Sequence, residues 1–360
     1  MAERVVVAMS GGVDSSVAAA LLVEQGVEVL GVTLQLWGKD VCVSSGTRLC
    51  CSVRDALDAK AVAARLGIPH ETLELADTFQ ATVIDYFVRS YQEGLTPNPC
   101  IACNDHIKFG ALMAHAEGRG MRAVATGHYA RAWYDEAHGR HTVRRAADTE
   151  KDQSYVLFNL TQDQLARARF PLGELSKPRV REIAHRLGLA TADKPDSQDV
   201  CFVRDGDKNG FLRRAAEAPD TPGPITDTAG AMLGTHRGLL GYTIGQREGL
   251  GIATGVPLYV VALDRPNNRL VVGSRDELRQ GACRVERVNW VSIPPPEDPV
   301  ACAVTIRSRH QPAHALVIPD SSGGARIEFE EPQSAVTPGQ AAVFYREETL
   351  LGGGWIARDA

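Results

Sequence analysis

The stretch Ser10-Gly11-Gly12-Val13-Asp14-Ser15-Ser16 lies between the apolar run Val5-Val6-Val7-Ala8-Met9 and the helix-forming run Val17-Ala18-Ala19-Ala20-Leu21-Leu22. That order reads as strand, glycine-rich loop, helix. Glycines and hydroxyls delivered to a helix N-terminus turn backbone N–H groups toward an anion, and nucleotide phosphate is the natural occupant. The loop lacks the Gly-Lys-Ser/Thr ending of the ordinary P-loop, which argues against γ-phosphoryl transfer. The plainer alternative is a tight glycine turn in which Asp14, Ser15 or Ser16 caps the helix.

Outward from this loop, strand-like runs at 5–9, 28–36, 71–75 and 123–126 alternate with helical patterns at 52–66, 82–92 and 107–117. Further helical segments are expected at 154–158 and 178–187. The alternation implies right-handed crossovers and a parallel sheet, with ligands at the carboxyl ends of its strands. After about residue 205 the texture changes. Residues 219–224 are rich in breakers, 230–255 are rich in glycine, and 258–263 with 269–272 read as a hairpin around 264–268. From about residue 280, β-rich runs at 301–306, 325–329 and 341–345 between Pro/Gly turns suggest a small antiparallel barrel or sandwich. The expected domains are 1–205, 206–278 and 279–360.

A chain of 360 residues can bury a substantial core. No run of about eighteen apolar residues is present, and the start Met1-Ala2-Glu3-Arg4 lacks a secretory pattern. A cytoplasmic protein without membrane partners is expected, so its eight cysteines should be mostly reduced and available for sulfur, redox or metal chemistry. The net charge of −5 excludes a protein coated in positive charge, though not a local basic surface. Candidates for such a surface are Arg140, Arg144 and Arg145; Lys177, Arg179, Arg181 and Arg186; Arg204, Lys208, Arg213 and Arg214; and Arg307, Arg309 and His310.

Sulfur chemistry is suggested by Asn98-Pro99-Cys100-Ile101-Ala102-Cys103-Asn104 and by Asp196-Ser197-Gln198-Asp199-Val200-Cys201-Phe202. Together with the loop at 10–16, Gly127-His128-Tyr129-Ala130-Arg131, Lys151-Asp152-Gln153-Ser154-Tyr155, Gly241-Tyr242-Thr243-Ile244-Gly245-Gln246-Arg247 and Ile306-Arg307-Ser308-Arg309, these motifs closely resemble bacterial tRNA-specific 2-thiouridylases over nearly the whole chain. The loop itself resembles that of ATP enzymes that cleave between the α and β phosphates. The fold this implies is α/β: a parallel-sheet ATP-pyrophosphatase domain of the adenine nucleotide α-hydrolase kind, a small central domain and a C-terminal antiparallel β-barrel.

The resemblance implies a reaction at the wobble uridine of tRNAs for glutamate, glutamine and lysine. The C2 oxygen is adenylated with ATP, pyrophosphate departs, and sulfur then displaces AMP, with Mg2+ neutralising phosphate charge. It further implies that Ala8, Met9, Ser10, Gly11, Gly12, Val13, Asp14 and Ser15 hold ATP, with Leu34 and Gly127 at the adenosine. Asp14 would help handle Mg2+ or pyrophosphate. The sulfur donor would be a cysteine desulfurase or sulfur-relay protein, or free sulfide; in the persulfide mechanism Cys201 would accept sulfur from the relay and Cys103 would be the nucleophile, leaving a Cys103–Cys201 disulfide. Local positive charge should favour both thiolates. Asn98, Pro99 and Cys100 would meet the target base, which must be extruded from its stack. Lys151, Asp152 and Gln153 would contact the anticodon arm, and Arg307 and Ser308 would contact tRNA from the last domain.

The chain departs from the commonest family pattern at Cys100, where many members carry an acid. The resulting Cys100/Cys103 pair plus Cys201 would supply three ligands for a [4Fe-4S] cluster with one iron open to hydrosulfide. Persulfide and cluster chemistry therefore both stand at the level of sequence. Cys42, Cys50 and Cys51 read as incidental thiols of a lid rather than a zinc site, and Cys283 and Cys302 as packing residues. A small-molecule synthetase would leave Cys103, Cys201 and the β-rich end without roles, and a non-catalytic RNA-binding iron–sulfur protein would leave the ATP loop without one.

Overall fold

The phosphate loop hangs from the middle of a five-stranded parallel sheet. The computed structural model describes residues 3–37, 53–196, 200–203, 206–216 and 221–358. Strands β1 (Arg4–Ala8), β2 (Glu28–Gln35), β3 (His70–Glu74) and β4 (Ala123–Ala125) are followed by a hairpin, β5 (Arg131–Asp135) and β6 (Arg140–Arg144), and by the short β7 (Ala168–Arg169). The sheet order is β3-β2-β1-β4-β7. β1 is flanked on both edges, and Val5, Val6 and Val7 are all fully buried, as a continuous β-branched run in a parallel sheet requires.

The two faces of β1 serve different cores. Val5 and Val7 pack with the helices Val13–Glu24, Val53–Leu66 and Lys177–Arg186, whereas Val6 packs with Phe79, Phe87, Ile107 and Leu112 from the opposite layer. On that second layer the helices begin earlier than periodicity alone indicates. Helical structure runs from Ala76 to Gln92 and from Pro99 to Gly118, with π-helical stretches at Gln80–Ile84 and Cys103–Ala111. The second of these starts at Asn98, whose Oδ1 accepts the Cys100 amide at 3.1 Å, with Pro99 at the first helical position.

The central sheet comprises β8 (Gly223–Thr226), β9 (Met232–His236), β10 (Tyr259–Asp264) and β11 (Arg269–Gly273), in the order β10-β11-β8-β9. The expected hairpin is the antiparallel β10–β11 pair. The C-terminal strands are β12 (Arg279–Trp290), β13 (Val300–Thr305), β14 (Ala313–Pro319), β15 (Ala325–Ser334), β16 (Ala341–Arg346) and β17 (Thr349–Ile356). Pairing of β12 with β17 closes them into a barrel rather than a sandwich. Cys283 and Cys302 are buried in that barrel's core. Among the described residues no helix is long and apolar enough to cross a membrane.

The β5–β6 hairpin has no counterpart in the sequence reading. It leaves the first domain and extends the barrel sheet, with Val143 opposite Leu350 and Arg144 opposite Thr349. Beside it, the buried Tyr155 hydroxyl donates to the Ala341 carbonyl at 2.8 Å, and Asn289 Nδ2 donates to the carbonyls of Phe158 and Leu160 at 2.8 and 3.0 Å. The barrel is thus tied to the parallel-sheet domain by buried polar contacts as well as apolar ones. Tyr155→Phe strands the Ala341 carbonyl and should cost about 1–2 kcal/mol in denaturant unfolding, with the far-UV spectrum unchanged.

Candidate functional site

The loop after β1 is shaped by its glycines. Gly11 has φ +71°, and a Cβ there would lie 2.1 Å from the Asp55 carbonyl oxygen, so no other residue fits without moving backbone. Gly12 is the N-cap of the Val13–Glu24 helix and brings no side-chain acceptor, which leaves the first-turn N–H groups open. The hydroxyls of Ser15 and Ser16 do not cap the helix; both donate to the Gly12 carbonyl, at 3.1 and 2.8 Å. Lys194 braces the loop from behind, reaching the Gly11 carbonyl at 2.8 Å, Asp55 at 2.6 Å and Asp58 at 2.7 Å.

In front of the loop stands a chain of charges. Lys177 Nζ lies 2.7 and 2.8 Å from the two oxygens of Asp14 and 2.8 Å from Asp196. Asp196 also accepts from Lys151 and Arg181, each at 2.9 Å. Burial opposes the Asp196 charge, yet Lys177 and Lys151 outweigh it and hold the carboxyl below its ordinary range. The Tyr129 hydroxyl donates to Asp14 at 2.7 Å, and burial with the Asp14 charge pushes that phenol far up, so it stays protonated.

Of these groups, Asp14 lines a cavity of about 310 Å³, and the others stand behind it. Ala8, Met9, Ser10, Asp14, Ser15, Leu34 and Gly127 line it on the loop side, while Pro99, Cys100, Cys103, Val200 and Cys201 line it from the other direction. Gly127 lies against the loop itself, where a Cβ would come within 2.8 Å of the Ser15 amide nitrogen. Gly11, Gly12 and Val13 support the loop without facing the cavity.

Lys108 and His128 complete the walls. Burial, and secondarily Lys108, pushes the His128 imidazole well below its usual pKa, so the ring is neutral. Its Nε2 accepts from Lys108 Nζ at 3.3 Å, and its Nδ1 then donates to Thr126 Oγ1 at 2.7 Å.

Several expectations change here. Positive charge does not win at Cys103: burial pushes its thiol up, Lys108 only partly offsets this, and Cys100 adds to the rise. Cys100, Cys103 and Cys201 line one cavity, although among the described residues no three His, Cys, Asp or Glu side chains are drawn together as a group that could hold a metal ion. Asp14 places both oxygens on Lys177.

The residues expected to meet RNA fall in different places. Asn98 is a helix cap, and Pro99 and Cys100 reach the cavity. Gln153 lines the cavity and accepts the Tyr129 amide at 3.0 Å. Lys151 is held by Asp196, and Asp152 folds its own loop by accepting the amides of Ala146 and Ser154 at 3.0 and 3.1 Å. Arg307 and Ser308 are exposed on the barrel, outside the cavity, with Arg307 donating to the Ser334 carbonyl at 3.1 Å. Cys42, Cys50, Cys51 and residues 197–199 lie outside the described residues.

Lys177 and Lys108 were missed as site residues. Lys177 opens the helix Lys177–Arg186, capped by Ser176, and a cation in a first turn opposes the helix dipole unless carboxylates hold it there. That misplaced charge is the signal the sequence carried. Lys108 has no such marker, because its position depends on π-helical phase.

Three family models together span most of the chain: a tRNA methyl transferase HUP domain over residues 3–205, a tRNA methyl transferase PRC-barrel domain over 209–274 and an aminomethyltransferase β-barrel domain over 280–356. The chain is 50% identical to the tRNA-specific 2-thiouridylase MnmA of Heliobacterium modesticaldum, covering 100% of this chain and 94% of that one. It is 50% identical to the protein of the same name from Moorella thermoacetica, covering 97% and 98%, and 51% identical to that of Trichormus variabilis, covering 98% of each.

With its thiol pushed up, Cys103 should react slowly with iodoacetamide at pH 7. Its alkylation rate, followed by peptide mass spectrometry, should keep climbing above pH 9. Lys108→Met should move the profile to still higher pH, and a profile that levels off below pH 8 would contradict the burial argument.

Proposed function

The chain belongs to the tRNA-specific 2-thiouridylase family, and on that premise we propose that this enzyme uses ATP to exchange the C2 oxygen of a tRNA uridine for sulfur. The observation that carries the proposal is the single cavity walled by the phosphate loop on one side and by Cys100, Cys103 and Cys201 on the other. Activation by a nucleotide and delivery of sulfur to one atom require both sets of groups within reach of the same base.

In the proposed first step the adenosine lies against Leu34 and Gly127. The open N–H groups of the loop hold the phosphates that become pyrophosphate. The uridine C2 oxygen attacks the α-phosphorus, the O–P bond forms, and the bond to the bridging β-oxygen breaks. Mg2+ would arrive on the ATP phosphates. In the second step the terminal sulfur of a Cys201 persulfide attacks C2, and AMP leaves with the old oxygen. Cys103 thiolate then attacks the Cys201 sulfur, forming the Cys103–Cys201 disulfide as the sulfur–sulfur bond to the product breaks. An external thiol donor must supply two electrons to reset the pair. Because burial disfavours the Cys103 thiolate in this state, the step calls for a rearrangement when RNA enters.

Pro99 and Cys100 are proposed to meet the extruded base, with Gln153 beside it. Lys151, Asp152, Arg307 and Ser308 are assigned to the tRNA outside the cavity. The target is the wobble uridine of the glutamate, glutamine and lysine tRNAs, persulfide sulfur comes from a desulfurase or a relay protein, and the setting is the cytoplasm. The units 206–278 and 279–360 are proposed to hold the RNA against the catalytic unit 1–205.

Nucleoside mass spectrometry of unmodified tRNA incubated with ATP and a persulfide donor tests this reading. Cys103→Ala and Cys201→Ala should each abolish 2-thiouridine, and Asp14→Ala should weaken ATP binding about tenfold. Normal yield from Cys201→Ala, or product that tracks iron and acid-labile sulfide in anaerobic protein, would overturn the persulfide route. AMP formation without tRNA would point to a synthetase instead.

A further inference from the structure

A second cavity, of about 360 Å³, adjoins the first and shares Pro99 and Val200 with it. Its walls include Tyr91, Pro97, Asn98 and Gln340, and among the described residues Lys208 is the one charged side chain that lines it. Lys208 belongs to the catalytic layer's junction with the central sheet: its Nζ donates to Thr243 Oγ1 at 3.1 Å and sits 4.8 Å from the centre of the Tyr91 ring. Neither neighbour carries an opposing charge.

The adjacent carboxylate does not neutralise it either. Asp207 turns back as the helix cap, accepting the Gly210 amide at 2.8 Å, and its other oxygen faces Arg214 at 3.9 Å. Among the described residues, no ion pair joins Lys208 to an acid. Removing an ammonium from water without a counter-charge is unfavourable, and accordingly burial lowers the Lys208 pKa. A cation held in a groove against a ring and a hydroxyl is stabilised when an anion enters the groove.

Resting on the function proposed above, we propose that this groove is a nucleotide subsite in which Lys208 binds the phosphodiester next to the target uridine. The argument is one of continuity and charge. The wall formed by Pro99 and Val200 separates the groove from the cavity that takes the base, so a strand whose base enters the first cavity lays its backbone along the second. A phosphate is the anionic group of that backbone, and proline and tyrosine walls suit the sugar beside it. Lys208 supplies grip without sequence information, while Pro99 and Cys100 face the base.

The test is the salt dependence of binding, by fluorescence anisotropy, of an unmodified anticodon stem–loop RNA to the full chain. Lys208→Met should weaken binding about tenfold at 0.1 M KCl and flatten the slope of log K against log[salt] by about 0.7 to 1, whereas Lys208→Arg should restore the slope. Thr243→Val, which removes only the hydroxyl partner, should leave the slope unchanged. Replacing single loop phosphates by neutral methylphosphonate should reveal one position where wild type loses affinity and Lys208→Met loses none further. An unchanged slope in Lys208→Met, or losses that add at every phosphate position, would overturn the subsite while leaving the proposed function intact. Failure of the wild-type protein to bind or thiolate the RNA would overturn both.

Discussion

The Lys177 ammonium, enclosed between the carboxylates of Asp14 and Asp196, joins the phosphate loop to the segment that leads into Cys201. Little else in the site is independent of that bridge. Asp14 is fixed from its other side by Tyr129, and Asp196 also fastens Lys151 and Arg181. The side chain of Lys177 is 9% exposed, so its pairing is screened little by solvent. Deleting either carboxylate would leave the buried Lys177 ammonium with one fewer counter-charge. The network therefore ties the first turn of the helix after the loop, through Lys177, to Asp196 and the charges gathered on it.

A second constraint is the way the barrel is attached. The β5–β6 hairpin is sequence of the catalytic unit that pairs as sheet of the barrel, while Tyr155 and Asn289 reach across the same junction. The chain segment between Gly127 and Ser154 thus returns to the cavity, through Gln153, only after passing through the barrel's edge. A disturbance of the barrel has a covalent route to the cavity wall.

What the sequence made legible follows from local physics. The loop at 10–16 could be read because strand, glycine turn and helix are contiguous, and the parallel sheet because β1 is a solid β-branched run. Barrel closure was legible only through the family resemblance, since it depends on a pairing between β12 and β17 about seventy residues apart, and no local pattern distinguishes a barrel from a sandwich. The hairpin was hidden for the same reason: Arg131, Trp133, Arg140 and Arg144 look like a polar surface until a partner strand is known. The candidate thiols were legible as types, but their ionisation was not. A lysine can be counted along a chain, whereas burial is a property of the packed state.

The π-helical stretch Cys103–Ala111 acts as a phase shifter within one continuous helix. In an α-helix successive residues turn by about 100°, so residues five apart point to different sides; a turn closed five residues on brings them back toward one side. Cys103 and Lys108 can therefore both face the cavity while Ile107 and Leu112 stay in the core. The helix is in effect two angular registers joined by one surplus residue. Composition in this segment is thus less constrained than residue count: exchanging one apolar side chain for another keeps the registers aligned, whereas losing a single residue would turn everything before it against everything after it, and send the cavity's own groups into the hydrophobic layer.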